Sequence, residues 1–235
     1  MSATRKVPPD ALTAQDEALI ASLVEDLQPT PRLYPPLLRA LLWLGVVTLC
    51  VAGVALYADL GAFARRLAAA PDLALAYAGS VVTLALAAVA AFHLALPDRR
   101  DRWALLPLPG LLLWVGASGL GCFRDWIAPE THLAPLREAP ECFMFIVGLS
   151  APLAALLVYM LARAHPLRPG PVTAMAGLAA AAAANVLLAF MHPFDAGFTD
   201  LASHAVAVAV VILLNMRFGR RYFSGGEAAA FAAAQ

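Results

Sequence analysis

The sequence predicts an all-α membrane protein: six transmembrane helices preceded by a short amino-terminal cytoplasmic helix. Three features predict it. Hydrophobic residues make up 62% of the 235 positions and charged residues only 14%, with a mean hydropathy of +0.76, which is more apolar surface than one soluble core of this size can hide. Apolar runs long enough to cross about 30 Å of hydrocarbon recur along the chain. None alternates in the manner of a barrel strand, and a chain in lipid must satisfy its own backbone donors and acceptors, so each run is a helix.

The first element is the helix of an amino-terminal arm, residues 1–36. Thr13 is its expected N-cap, with Asp16 in the place of the Glu or Gln of a full capping box. Leu19, Ile20, Leu23, Val24 and Leu27 recur at helical spacing and make one apolar stripe, with Asp16, Glu17, Glu25 and Asp26 about the other face. Pro29 and Pro31 stop the helix, and with Pro35 and Pro36 form a stiff, extended spacer. So short a helix is marginal in water alone, so its stripe needs a surface to cover. Being acidic, it suits a protein groove with a basic rim better than an anionic lipid surface, leaving packing on its own bundle as the other option.

Six spans follow, at Leu37 to Tyr57, Leu75 to Leu96, Trp103 to Cys122, Phe143 to Ala162, Val172 to Met191 and Leu201 to Met216. They define a transmembrane domain over residues 37–216. Residues 217–235 form a tail whose stretch "SGGEAAAFAAAQ" is expected to lack regular structure. The alanine tract Ala179 to Ala184 suits close helix packing. Pro107, Pro109 and Pro152 are expected to bend their helices.

Twelve of the sixteen Lys and Arg residues fall on the side of the termini, among them Arg5, Lys6, Arg99, Arg100, Arg163 and Arg221. Arg65, Arg66, Arg124 and Arg137 fall on the other. The positive-inside rule then places both termini in the cytoplasm, with no cleaved signal peptide expected.

That topology puts a polar cluster on the outer face. Cys122 ends the third span, Cys142 opens the fourth, His192 ends the fifth, and Asp195, Asp200 and His204 surround the start of the sixth. Thiolate, imidazole and carboxylate are the ligand types of borderline divalent ions, and Cys142, His192, Asp195 and His204 make a candidate metal set. The plainer alternative is that these are cap and interface residues, Asp200 simply capping the sixth helix. Cys122 and Cys142 form a second candidate, a redox pair stapling a nineteen-residue loop if their α-carbons come within about 7 Å. Cys50, inside the first span, reads as a small apolar filler. His93, Asn185 and Asn215 read as interhelical hydrogen-bond donors.

The string "LIASLVEDLQPTPRLYPPLLRALLWL" before six spans, together with "ECFMFIVGLSAPLAA" entering the fourth, resembles the NrsF-like family of membrane anti-sigma factors from about Ala18 to Phe223. The resemblance implies that the arm holds an extracytoplasmic-function sigma factor inactive through Leu19, Ile20, Leu23, Val24, Leu27, Glu25 and Asp26. It also implies that outward-facing cysteines sense heavy metal or oxidant and trigger release. Cys142 matches the first of these cysteines. Where the family pattern has a Cys-Pro step, this chain has His192 before Pro193, a departure that suits a metal site better than a disulfide there. No resident cofactor is implied, although a zinc-like divalent ion is a possible signal, and no nucleic-acid partner is implied.

Catalysis is not expected, for there is no nucleophile–base pair, paired carboxylates or HExxH. The competing class is a small metal or metabolite transporter, which needs charges or broken helices at mid-depth. The predicted spans hold no Asp, Glu or Lys, with Arg39 only at a mouth. A structural scaffold without a sensory role is the third possibility.

Overall fold

The computed structural model describes residues 13–25, 32–127, 139–191 and 198–233. The described residues are helical without strands: α1 (Ala14–Glu25), α2 (Pro36–Ala55), α3 (Leu60–Ala69), α4 (Pro71–Leu94), a 3-10 turn (Asp101–Leu105), α5 (Leu108–Ile127), α6 (Ala139–Ala162), α7 (Pro169–Met191) and α8 (Phe198–Ala233). The chain divides into two compact units, 1–33 and 34–235.

The smaller unit carries α1. The amide and hydroxyl of Thr13 both donate to the Asp16 carboxylate, at 2.9 and 2.7 Å, and the Asp16 amide returns a bond to the Thr13 hydroxyl at 3.3 Å. This is the reciprocal N-terminal box with aspartate in the glutamate position. These bonds, the side-chain one first, hold the Asp16 carboxyl below its ordinary range.

Among the described residues of the larger unit, six helices are long and apolar enough to cross a membrane: Pro36–Ala55, Pro71–Leu94, Asp101–Phe123, Cys142–Ala162, Pro169–Met191 and Leu201–Phe223. Proline marks where most of them begin. Pro36, Pro71, Pro109, Pro140 and Pro169 each occupy the first or second position of a helix, where a missing N–H costs nothing and the fixed φ is already helical. Pro107 and Pro109 therefore open α5 rather than bend it, contrary to expectation; Pro152 does lie inside α6.

α7 is the central helix and touches α2, α3, α4, α6 and α8, while α4 packs against α7, α5 and α2. The alanine tract explains the position of α7, since Ala179 to Ala184 are all fully buried and bring neighbouring backbones close. Glycines do the same at two further crossings. A Cβ on Gly79 of α4 would stand 2.5 Å from the backbone nitrogen of Trp114 in α5, and one on Gly177 of α7 would stand 2.9 Å from the Ile212 Cα in α8. α2 is tied on by Trp43, fully buried, whose indole N–H donates to the Leu153 carbonyl of α6 at 3.1 Å.

Several boundaries differ from expectation. Residues 60–69, read as part of a connection, form the amphipathic helix α3, capped by Asp59, which accepts from the Ala62 amide at 2.8 Å, and stopped by Pro71. The last span does not end at Met216; α8 runs on past Arg217, Arg220 and Arg221 for 36 residues to Ala233. Helix continues through the tail because propagation adds one bond per residue once a turn exists, and the alanines beyond Gly225 and Gly226 favour it. Asn215 is not an interhelical donor either, since its amide returns to Val211 of its own helix at 3.1 Å. His93 stacks on Trp103 of the 3-10 turn at 3.9 Å, and its buried Nδ1 has no hydrogen-bond partner among the described residues.

Candidate functional site

α1 leaves its apolar side chains in the open. Leu19, Ile20, Leu23 and Val24 are 49 to 59% exposed, and no residue of the helix is buried. Exposed leucines on a capped helix form a surface shaped for contact rather than for a core. Glu25 closes the helix; Asp26 and Leu27 lie outside the described residues.

In the larger unit, two arginines each satisfy a helix carboxyl terminus, at opposite ends of the bundle. Arg39, in the first turn of α2, is 6% exposed, so the residue at this span mouth is a buried cation. Its guanidinium donates to the Met160 carbonyl in the last turn of α6 and lies 4.8 Å over the Phe92 ring of α4. The Met160 carbonyl needs that donor. The amide four residues on, Ala164, turns instead to Leu161, and a cation is favoured where helix carbonyls end. Arg39 thus joins α2, α4 and α6 three residues after α2 begins.

At the other end, Arg66 of α3 donates to the Ala189 carbonyl at 3.1 Å, in the last turn of α7. Four residues beyond Ala189 stands Pro193, which has no amide to offer, so this carbonyl is orphaned by the sequence itself. Phe63 of α3 stacks on Phe190 of α7 at 4.6 Å, and Tyr77 of α4 meets Phe63 edge-on at 5.3 Å. Arg66 and Phe63 therefore fasten α3 over the end of the bundle that leads into His192.

The same end carries the cysteines. Cys142, in α6, is 6% exposed and shares a small apolar cluster with Ile146, with Ala184 and Leu188 of α7 and with Ala207 of α8. His204 precedes Ala207 by three residues, hence lies on the same flank of α8 one turn nearer its start. Cys142 thus lies in the cluster that α6 shares with α7 and with Ala207 of α8. Cys122 stands half-buried in the last two turns of α5. His192 and Asp195 lie outside the described residues, and among the described residues no group of three or more metal-ligating side chains occurs. Asp200 falls in the first turn of α8. Cys50 is half-buried, as a filler would be, and also lines a cavity of 890 Å³ with Tyr57, Asp59, Arg66 and Phe190 at the α3 end.

The sequence reading missed the two arginine locks and α3. Arg39 was hidden because a charge near a span end is counted as lying outside the membrane; for Arg66 the signal was present in the Ala189–Pro193 spacing. The family model NrsF, described as negative regulator of sigma F, matches residues 23–224. No curated protein and no solved structure matches the chain.

Proposed function

Because the chain belongs to the NrsF family of negative regulators of sigma F, and is therefore a negative regulator of a sigma factor with six apolar membrane-spanning helices, we propose that it sequesters an extracytoplasmic-function sigma factor at the bacterial inner membrane and releases it when the outer end of its bundle senses metal or oxidant. The observation that carries this reading is α1: a short acidic helix, capped at its start, whose leucines are open to a partner. Both termini lie in the cytoplasm in this scheme, as the arginine distribution favours.

Signal capture falls to Cys142 of α6 and His204 of α8, with His192 and Asp195 completing a divalent-ion set. Under oxidant, Cys142 pairs instead with Cys122, each thiol losing a proton and an electron to the oxidant. Either event changes the spacing of α5, α6 and α8. Arg39 then has a mechanical role, because it joins α6 to the first turn of α2, directly after the arm's proline spacer. A coupling of about 1–3 kcal/mol, typical between distant sites, changes sigma-factor affinity about five- to 150-fold.

The test uses the full-length protein in mild detergent and a purified extracytoplasmic-function sigma factor of the same organism. Leu19→Asp with Leu23→Asp alters only exposed side chains, so folding holds to within about 0.5 kcal/mol. Sigma-factor binding falls at least about a hundredfold, the equivalent of roughly 2.7 kcal/mol. Unchanged binding in that variant rejects α1 as the contact.

A further inference from the structure

We propose that the groove between α6 and α8 binds one molecule of the neutral, lipid-soluble quinone class through the side-chain amide of Asn215. The groove has a volume of 720 Å³, within the range of small-molecule sites, and lies between two membrane-spanning helices. Each helix gives it one stripe. Val147, Ala151, Ala155 and Tyr159 recur every fourth residue along α6, and Val211, Asn215, Phe218 and Tyr222 recur at helical spacing along α8. The room comes from Ala151 and Ala155, which present only methyl groups in the middle of the α6 stripe.

Asn215 is the polar group of the α8 stripe. One N–H of its amide is spent on the Val211 carbonyl at 3.1 Å; the second N–H and the Oδ1 have no partner among the described residues. By rise along α8 it stands about 9 Å inside Arg221, next to Leu213 and Leu214, which are exposed as lipid-facing side chains are. An amide at that depth is costly to leave unmatched, and a polar side chain within a span is a binding-site candidate for that reason. Cys142 and Ala207 share one packed cluster. Asn215 lies eight residues beyond Ala207 and Ala151 nine beyond Cys142, so both stand about 12–14 Å further along at about one level. The amide therefore looks across the groove at a methyl group and open space.

The occupant must be apolar enough for the floor and must carry a hydrogen-bonding group at the depth of Asn215. An acyl chain has no such group, and a phospholipid carries its own at the boundary, where Arg221 lies. A second copy of the chain would need a self-complementary face, and two concave grooves laid together enclose a void. A quinone meets both demands. It is uncharged, its carbonyl accepts the free amide N–H, and its planar ring suits the Phe218 ring one turn from Asn215, with Tyr222 one turn further. The hydroquinone form donates to the Asn215 Oδ1 instead, so one amide serves both forms. The site draws on none of the residues assigned to sigma-factor binding or to sensing, so its failure would leave that reading intact.

The experiment equilibrates the full-length protein in mild detergent with decylubiquinone, recovers it by gel filtration and measures the retained quinone by absorbance. Wild-type protein should retain about one quinone per chain. Decylbenzene, which has a ring and tail without carbonyls, should compete about tenfold less well, as expected for one missing hydrogen bond. Asn215→Leu, close in volume, should weaken quinone binding about tenfold and leave decylbenzene binding unchanged. Ala151→Phe, which fills the groove from an exposed position, should weaken both, with helix content by circular dichroism unchanged in both variants. No retention by the wild type, equal competition by decylbenzene, quinone binding untouched by Asn215→Leu, or displacement by an equal amount of phosphatidylethanolamine would each overturn the assignment.

Discussion

Removing the Arg39 guanidinium is the sharpest test of how the bundle is held at the end where α2 begins. Its bond to the Met160 carbonyl is charge-assisted, a class that contributes about 1.5–3 kcal/mol. The contact with the Phe92 ring adds about 0.5–2 kcal/mol. The two share one cation and do not add fully, and burying that cation opposes them. Arg39→Ala loses both contacts, strands the carbonyl and leaves a void among α2, α4 and α6, so the expected loss is about 2–3 kcal/mol. Arg39→Met keeps the stem and relieves the buried charge, so about 1 kcal/mol is expected. Purified protein in mild detergent, titrated with a denaturing detergent and followed by far-ultraviolet circular dichroism, gives both values. The same two variants, expressed with a reporter driven by the sigma factor, should raise basal output in the same order. Variants within about 0.5 kcal/mol of wild type, or methionine costing more than alanine, would refute the reasoning.

Three further outcomes are expected. Gly79→Ala forces a methyl onto the Trp114 backbone 2.5 Å away, where no flexible side chain can yield, and should destabilise the bundle by about 1–3 kcal/mol in the same titration. Cys142→Ser should abolish reporter induction by both metal and oxidant, whereas Cys122→Ser should abolish only the oxidant response, read as reporter output across a dose series. Thr13→Ala should raise the Asp16 pKa toward its ordinary value, measured by NMR of the carboxyl carbon. Because the folded value is lowered, the Thr13–Asp16 contribution to α1 is complete above the ordinary carboxylate range. It is lost as pH falls through the lowered value, and the alanine variant should show no such acid fraying.

The membrane spans were legible in the sequence because hydrocarbon leaves a chain no alternative to helix, so hydropathy and length suffice. The start of α1 was legible for a local reason: the Thr13–Asp16 pair acts within one turn. α3 was not, because its Arg65 and Arg66 lower the mean hydropathy of a helix that buries no side chain fully and rests its half-buried Phe63 on Phe190 of α7. The extent of α8 was missed because Arg217, Arg220 and Arg221 mark where lipid ends, which is not where helix ends. Arg39 was placed correctly near a boundary but not recognised as buried, since its partner carbonyl is 121 residues away and no local pattern announces it. Around Cys142, the meeting of α6 with the Ala207 flank of α8 follows from packing on α7, which depends on where Ala184 and Leu188 fall around that helix.

The unbroken course of α8 has a consequence for how far a small tilt reaches. At 1.5 Å per residue its 36 residues span about 54 Å, some 24 Å more than the hydrocarbon is thick. A rod of that length pivoting about its Cys142-facing end by 5° sweeps its far tip through roughly 5 Å, close to the width of a helical turn. A displacement too small to disturb the packing of Ala207 would thus arrive, magnified, at the far tip of a helix longer than a bilayer is thick.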